Sequence, residues 1–201
     1  MDLDRLGKQM QFIIEIDKVK LVMRQNYLTG GSRRENDSEH SWHLAMMIVI
    51  LSEYFKNADA LKTVKMALIH DLVEIYAGDT FAYDEQGYQD KDERERAAAD
   101  RIFTLLPEDQ ATEYRGLWEE FERMDTEEAI FAAAVDRIQP LLMNSEAKGK
   151  MWKQHKVTKE MAMKRNKMVF EDAPELIADF VRKRIEDAAS KHYFYEDGYG
   201  E

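Results

Sequence analysis

The sequence predicts an all-α fold, and three observations lead to that prediction. The 201 residues include only three prolines and nine glycines, and residue types that favour helices dominate. Apolar residues recur at helical spacing in several segments, whereas no segment shows the alternation of a half-buried strand. The length fits one domain, which we expect to span residues 1–192 and to be followed by a flexible tail at residues 193–201.

The composition excludes several classes of function. Cysteine is absent, so disulfides and cysteine nucleophiles are excluded, and any metal ion must bind to nitrogen and oxygen. The net charge of −11 disfavours a nucleic acid polymer as partner. The longest apolar run, residues 44–51, is too short to span a membrane. Because the N-terminal segment is also acidic where a signal peptide would be basic, we expect a cytoplasmic protein.

The first predicted helix runs from residue 3 to about residue 23, because its apolar residues follow a period near 3.6 with one polar lapse. Residues 24–37 are predicted to form a loop, since they include paired glycines and have no periodicity. Asp37 or Ser38 can cap the second helix. That helix is apolar nearly all round, so we expect it to be buried at the centre of the domain.

The third predicted helix covers residues 60–77. Asp59 can cap it, and Gly78 can end it in a left-handed conformation. Residues 79–90 are predicted to form a second loop, and five more helices follow. These later helices are expected at residues 91–106, 108–124, 126–146, 158–170 and 174–192.

Four side chains on these helices form a nitrogen and oxygen set that suits one divalent ion. His40 lies in the first turn of the second helix, and His70 and Asp71 are adjacent near the end of the third. Asp136 is an isolated carboxylate in an apolar segment, which is costly unless it meets a cation. Taken singly, Asp136 could form a salt bridge and His70 could be a hydrogen-bonded core residue. Together the four predict an ion in a crevice between helices, with positions left for water.

These residues also carry a resemblance to a known family. The ordered signature His40, His70–Asp71 and Asp136 resembles the HD-domain metal-dependent phosphohydrolases. The longer motifs E-N-x-S-E-H-S at residues 35–41 and H-D-x-x-E-x-x-x-G-D at residues 70–79 are similar to those of its YfbR-like 5′-deoxynucleotidase branch. The resemblance covers roughly residues 10–142, and it implies that the four residues are the metal ligands.

The resemblance implies an HD-domain helical bundle, with its core at about residues 10–145 and peripheral C-terminal helices at about residues 150–192. It also implies a homodimer. The apolar residues Phe180, Val181 and Ile185 on the peripheral helices could form the interface or could equally cover the core. The lysine-rich run at residues 148–167 is expected to be a solvated face.

Two further acidic residues are expected in the catalytic machinery. Glu74 lies at i+4 from His70 and therefore on the same helix face. It resembles the catalytic glutamate of the family, so we assign it a general acid/base role, with an exposed helix charge as the alternative. Asp79 matches the family's aspartate beside the phosphate and sugar, where it would orient water or bind a hydroxyl. Its alternative role is a cap for the next turn.

Arginines in the first predicted loop are candidates for substrate binding, because a guanidinium group can grip phosphate in two places. Arg24 and Arg33 match arginines of the branch, whereas Arg34 does not and is expected to be a solvated charge. Gln25 stands where relatives can have a tryptophan that packs on the sugar, which puts a preference for deoxyribose in doubt. His43 lies one turn beyond His40, and we expect it to support the ligands or to pack, with ligation as the alternative.

The resemblance implies a hydrolase that removes phosphate from nucleoside, in particular deoxyribonucleoside, 5′-monophosphates. The cofactor would be one divalent transition metal ion, either cobalt, manganese, zinc, nickel or iron(II), since all tolerate imidazole with carboxylate. Cleavage of nucleotide pyrophosphates or triphosphates by the same site is one alternative. A non-catalytic module that senses nucleotides is another. An oxygenase is disfavoured because residues 72–135 include no further histidine.

Overall fold

A computed structural model describes residues 2–196, and the prediction of an all-α fold is confirmed. The α-helices of the described residues are α1 (Leu3–Ile16), α2 (Asp37–Leu51), α3 (Ala60–Ile69), α4 (Glu74–Ala77), α5 (Lys91–Phe103), α6 (Glu108–Arg123), α7 (Glu127–Glu146), α8 (Lys150–Gln154), α9 (Lys159–Arg165), α10 (Lys167–Asp172) and α11 (Glu175–Ser190). Short 3₁₀ segments follow α1 at Asp17–Leu21 and α3 at His70–Val73. No helix in the described part of the chain is both long and apolar enough to cross a membrane.

A small antiparallel hairpin stands where one loop is predicted. Strand β1 (Met23–Tyr27) pairs with β2 (Arg34–Asn36), and the register shifts within the pair. The predictions of a single loop and of a first helix reaching residue 23 are wrong, because backbone hydrogen bonds hold two short strands of mostly polar sequence that shows no alternation. The hairpin places β1 beside the start of α2.

The start of α2 differs from the prediction by one residue, and the difference matters for the site. Asn36, rather than Asp37 or Ser38, caps the helix: its Oδ1 accepts from the backbone N–H of Glu39 at 2.9 Å. In return, the Glu39 carboxylate accepts from the backbone N–H of Asn36 at 3.1 Å, which completes a capping box. Because Asn36 serves as the cap, the Asp37 side chain is buried inside the molecule.

The expectation that α2 is buried all round is wrong. One face packs against α3 and α7. Its other face leaves Trp42, Met46, Val49 and Ile50 exposed, with Trp42 at 64% of its full exposure. Single exposed apolar residues are ordinary, whereas four on one helix face indicate an interaction surface.

The helix predicted over residues 60–77 is interrupted near its C-terminal end. Asp59 caps α3 as predicted, accepting from the backbone N–H groups of Leu61 and Lys62. The backbone then tightens into the 3₁₀ turn His70–Val73 before α4 begins. Gly78 has the predicted positive φ of 77°, but its ψ of 153° is extended rather than left-handed helical. The tighter turn sets the directions of the side chains that it carries.

Helix α7 occupies the centre of the fold. Two adjoining hydrophobic clusters pack against its opposite faces, one around Phe131 and Val135 and the other around Ala129 and Ala132. Phe131 stacks on Phe55 with the ring centroids 3.9 Å apart. A charged residue in the middle of α7 is therefore held within the core.

The C-terminal helices cover one of these clusters. Val181 and Ile185 are fully buried, so they cover the core, whereas Phe180 is about half exposed. The helix predicted over residues 158–170 is divided into α9 and α10 at Asn166. Phe194 is buried and stacks on Trp152, so the packed chain extends beyond the predicted boundary at residue 192. Residues 197–201 of the predicted tail lie outside the described residues.

Candidate metal centre

The structure brings the four predicted metal ligands together where α2, the 3₁₀ turn after α3 and α7 meet. His40 Nε2 lies 3.1 Å from Asp136 Oδ1, and His70 Nε2 lies 3.1 Å from Asp71 Oδ1 and 3.8 Å from Asp136 Oδ1. His40 Nε2 is 3.9 Å from Asp71 Oδ2. Ligand bonds of about 2 Å allow two donor atoms on one ion to be at most about 4 Å apart. These separations therefore fit a shared ion.

The hydrogen bonds of the two histidines support the same interpretation. His40 Nδ1 donates to Gln139 Oε1 at 3.2 Å, and His70 Nδ1 donates to the carbonyl oxygen of Ala67 at 2.9 Å. Because these oxygens only accept, each Nδ1 carries a hydrogen. In the neutral ring, which is the form that binds a metal ion, each Nε2 then presents the lone pair. His70 Nε2 is buried and has no hydrogen-bond partner among the described residues. An unpartnered buried nitrogen facing two carboxylates is what a metal ligand requires.

Glu35 and Gln139 hold His40 in this orientation, and neither role was predicted. Gln139 Nε2 donates to Glu35 Oε2 at 2.9 Å, which fixes the amide so that its oxygen faces His40. The same nitrogen lies 3.2 Å from His43 Nδ1, so His43 contacts the supporting network. A sequence signal existed for Gln139, since it lies one turn after Asp136 on α7 and therefore on the same face.

The surroundings of the two histidines favour a positive charge on His70 and disfavour one on His40. Burial by itself would lower the pKa of His70, but the attraction of Asp71 and Asp136 outweighs it and raises that pKa to about 9. His40 has its pKa lowered to about 4, because burial and the charge of Arg24 outweigh its carboxylate contacts. The pKa of Asp136 is held well below its usual value, because His40, His70 and Arg165 outweigh its burial.

A second acidic group adjoins the ligands. Carboxylate oxygens of Asp37, Asp71 and Glu74 lie within 4.8 Å of one another, and all three residues are buried. Burial together with the like charges of Asp71 and Asp37 raises the pKa of Glu74 well above its usual value. Burial and Asp71 likewise raise the pKa of Asp37 to about 7. The raised pKa favours the protonated form of Glu74, which is the form that a general acid needs.

The predicted substrate-binding residues divide into two groups. Arg24 and Gln25 line the cavity beside the ligands, as does Asp79. Arg33 does not: it is exposed and pairs with both oxygens of Glu39 at 2.5 and 2.9 Å. Its contact supports the cap of α2, so its predicted role in substrate binding is not supported by its position.

Carboxylates surround Arg24. Its Nη1 lies 2.6 Å from Asp71 Oδ2 and 3.3 Å from Asp37 Oδ1, and its Nε is 4.0 Å from Glu35 Oε1. The guanidinium group therefore holds Asp71, one of the candidate metal ligands, and balances the acidic cluster.

The cavity beside the ligands has a volume of about 260 Å³. The segment at residues 79–90 covers part of it with Phe81 and Tyr83. Arg94 ties this segment down, because its guanidinium donates to the carbonyl oxygens of Ala77 and Gly87 at 2.6 and 3.1 Å and to Thr80 Oγ1 at 3.2 Å. Nothing in the local sequence of α5 distinguishes Arg94 from its charged neighbours.

Three further cations line the cavity, and the sequence did not identify them: Lys91, Arg137 and Arg165. Arg165 belongs to the run at residues 148–167, so the expectation of a solvated face is wrong at that residue. It is the one arginine in a run otherwise rich in lysine, which is a signal that sequence reasoning could have used.

Comparison with known proteins agrees with this geometry. Residues 16–177 match the HD domain family. The chain belongs to the HD-domain family. The human 5′-deoxynucleotidase HDDC2 is 33% identical over 138 residues, which make up 68% of this chain and 67% of the relative. HDDC2 from Xenopus laevis is 30% identical over 142 residues, 70% of each chain. The chain thus spans about two thirds of the length of these relatives.

Solved structures extend the comparison of this HD-domain protein. A protein from Magnetospirillum magnetotacticum, described as a predicted metal-dependent phosphohydrolase, is 47% identical and covers 96% of both chains with a TM-score of 0.91. A protein from Pyrococcus furiosus with 24% identity shares the fold, with a TM-score of 0.62 over 90% of this chain and 99% of that one. The first of these structures is thus similar to this HD-domain protein over nearly its whole length, and the second shares its fold.

Proposed function

We propose that this HD-domain protein removes phosphate from deoxyribonucleoside 5′-monophosphates. One observation carries the proposal: His70 Nε2 is buried, has no hydrogen-bond partner among residues 2–196, and faces Asp71 and Asp136 at the edge of a cavity that Glu74 also lines. The curated relatives are named for this activity, and the Magnetospirillum magnetotacticum protein is described as a predicted metal-dependent phosphohydrolase.

His40, His70, Asp71 and Asp136 would hold one divalent ion of the cobalt, manganese, zinc, nickel or iron(II) class. Such an ion neutralises phosphate charge and lowers the pKa of water, which supplies the nucleophile near neutral pH. The buried ligands present imidazole nitrogen and carboxylate oxygen only, and this donor set fits those metals. Gln139 and Arg24 keep His40 and Asp71 in place through their contacts.

Glu74 would move the proton in this reaction. Its Oε2 is buried and has no hydrogen-bond partner within residues 2–196, so it is available to a substrate or water. Burial and the neighbouring carboxylates raise its pKa, which favours the protonated form that a general acid needs. Asp79 lies at the other end of α4 on the cavity wall, where it would bind a sugar hydroxyl or orient water.

The experiment is a phosphate-release assay with a panel of ribo- and deoxyribonucleoside 5′-monophosphates and each of the five metals. Orthophosphate release from monophosphates is expected. Pyrophosphate or triphosphate released from longer nucleotides, with none from monophosphates, would favour the alternative hydrolase. Nucleotide binding without turnover in any metal would favour a sensing module. The comparison of ribose with deoxyribose tests whether Gln25, in place of tryptophan, relaxes the sugar preference.

We also propose that the protein is a homodimer and that the exposed apolar face of α2 contributes to the interface. Trp42, Met46, Val49 and Ile50 supply that face, whereas Val181 and Ile185 are occupied in the core. Light scattering should give twice the mass of one chain, and Val49→Glu should reduce it toward one. A monomer in the unchanged protein would contradict the proposal. A cytoplasmic location remains a prediction from the sequence.

A further inference from the structure

Four cations line the cavity, and they differ in how completely their charges are balanced. Arg24 faces the three carboxylates of Asp71, Asp37 and Glu35. Lys91 donates to Glu95 at 2.7 Å. Both charges are thus neutralised by the protein itself, and a phosphate that approached either cation would also meet the neighbouring carboxylates.

Arg165 on α9 is less completely balanced. Within the described residues, its one ion pair joins Nη2 to Asp136 Oδ2 at 3.6 Å, which is too long for a hydrogen bond. The Arg165 side chain lines the cavity and is 30% exposed. It can therefore turn its N–H groups to a ligand at little cost in desolvation.

Asp136 connects Arg165 to the ligand set. Its Oδ1 faces the Nε2 atoms of His40 and His70, and its Oδ2 faces Arg165. A cation bound at Oδ1 takes up much of the charge of this carboxylate, and Arg165 then loses its counter-ion. Arg165 would then be a cation without a counter-ion beside the bound metal ion, and it could pair with an anionic ligand.

Arg137 strengthens the positive character of this wall. It follows Asp136 on α7 and lines the cavity, where its Nη1 donates to the carbonyl oxygen of Ala133 at 2.8 Å. Its Nε is buried without a hydrogen-bond partner in the part of the chain that the structure describes. Lys91, in contrast, is accompanied by Glu95 and Glu122, so an anion is favoured at Arg165 rather than at Lys91.

We propose that Arg165, supported by the charge of Arg137, binds the phosphate group of the substrate beside the metal ligands. The inference rests on the proposed function for the identity of that substrate. It assigns to a peripheral C-terminal helix the anion-binding role that the sequence had predicted for Arg33. A guanidinium fork suits this task, because it donates two parallel hydrogen bonds to phosphate oxygens.

The experiment compares Arg165→Ala with Lys164→Ala, which removes an exposed cation one residue away on the same helix. Inorganic phosphate is titrated calorimetrically into each protein loaded with Mn²⁺, and metal content is measured by elemental analysis. Loss of a charge-assisted hydrogen bond should weaken phosphate binding roughly ten- to hundredfold in Arg165→Ala. Lys164→Ala should bind phosphate like the unchanged protein, and both variants should keep their metal.

Kinetics on a deoxynucleoside 5′-monophosphate add a second readout. Arg165→Ala should raise KM by a similar factor, and Arg165→Lys should recover part of the loss because it restores the charge without the fork. Equal phosphate affinity in Arg165→Ala and Lys164→Ala would overturn the inference. Loss of metal from both Arg165→Ala and Arg165→Gln would also overturn it, since Arg165 would then serve to hold Asp136.

The two proposals can fail separately. If the unchanged protein releases phosphate from no nucleotide, the proposed function fails, whereas the titration with inorganic phosphate still decides the role of Arg165. If nucleotides are hydrolysed but Arg165→Ala binds phosphate normally, the proposed function stands and the inference about Arg165 is wrong.

Discussion

Metal binding should displace a proton from His70, and this makes metal affinity depend on pH. In the metal-free protein the pKa of His70 is about 9, so the ring is charged at neutral pH, whereas a metal ligand must be neutral. Removing that proton at pH 7 costs about 3 kcal/mol, since the pH lies two units below the pKa. The apparent affinity at pH 7 should thus be roughly a hundredfold lower than above pH 9, with a tenfold change per pH unit.

Calorimetry of Mn²⁺ binding in buffers with different heats of ionisation measures both quantities between pH 6 and 8.5. At pH 8 about 0.9 protons should be released per ion, because a ring with a pKa of about 9 is about 90% protonated at that pH. Asp37, with a pKa of about 7, is by then mostly ionised and adds little. Repeating the measurement on Glu74→Gln shows how many of the released protons come from Glu74. The measurement on His43→Asn shows whether this neighbouring histidine, whose pKa burial lowers, contributes to the released protons. An affinity that stays level from pH 7 to 8.5, with no proton released, would refute this reasoning.

Further predictions concern the support of the site. Glu74→Gln should retain the metal and lower kcat roughly 10²- to 10⁴-fold, as elemental analysis and a phosphate assay will show; unchanged kcat would exclude the acid/base role. Gln139→Leu should weaken metal binding roughly 10- to 100-fold, because His40 loses the acceptor that orients its ring. A metal titration measures this, with Gln154→Leu as the control that should bind metal normally. Arg94→Ala should raise KM and speed protease cleavage within residues 79–90, whereas equal cleavage of Arg96→Ala and Arg94→Ala would contradict its tethering role. Metal-free protein should lose thermal stability as pH rises from 6.5 to about 9, because the folded state alone keeps the His70 proton; a melting temperature that rises over this range would be the opposite result.

Three of the four candidate ligands carry a local signal in the sequence. Asp136 is a lone carboxylate in an apolar helix, and His70–Asp71 end a helix whose other residues are mostly apolar. Burying a carboxylate in a core is costly unless a cation compensates its charge. An acidic residue in an apolar helix therefore predicts a cation nearby. Asp59 and the positive φ of Gly78 were likewise predictable, since capping and backbone conformation depend on neighbours in sequence.

The remaining features depend on contacts between distant segments. Gln139 supports His40 across 99 positions of the chain, and Arg165 approaches Asp136 only because α9 packs over the cavity. Arg33 resembles an arginine of the family branch, yet it lies in the hairpin and contacts Glu39 instead of the candidate ligands. The two strands themselves lack alternation, and their pairing with each other decides their conformation.

The exposed face of α2 shows a further limit of sequence patterns. A helix that is apolar all round indicates burial, but the pattern does not distinguish burial in its own core from burial against another molecule. Trp42 and Val49 are as apolar as Leu44, and only the fold separates them.

The central claim is that two imidazoles and two carboxylates hold one catalytic ion. The most direct measurement combines elemental analysis and phosphate release from a deoxynucleoside 5′-monophosphate on protein purified without chelator, for the unchanged chain and for Asp136→Asn. We predict about one equivalent of a divalent transition metal and orthophosphate release in the former, with both lost in the latter. Full metal content and full turnover in Asp136→Asn would contradict the claim.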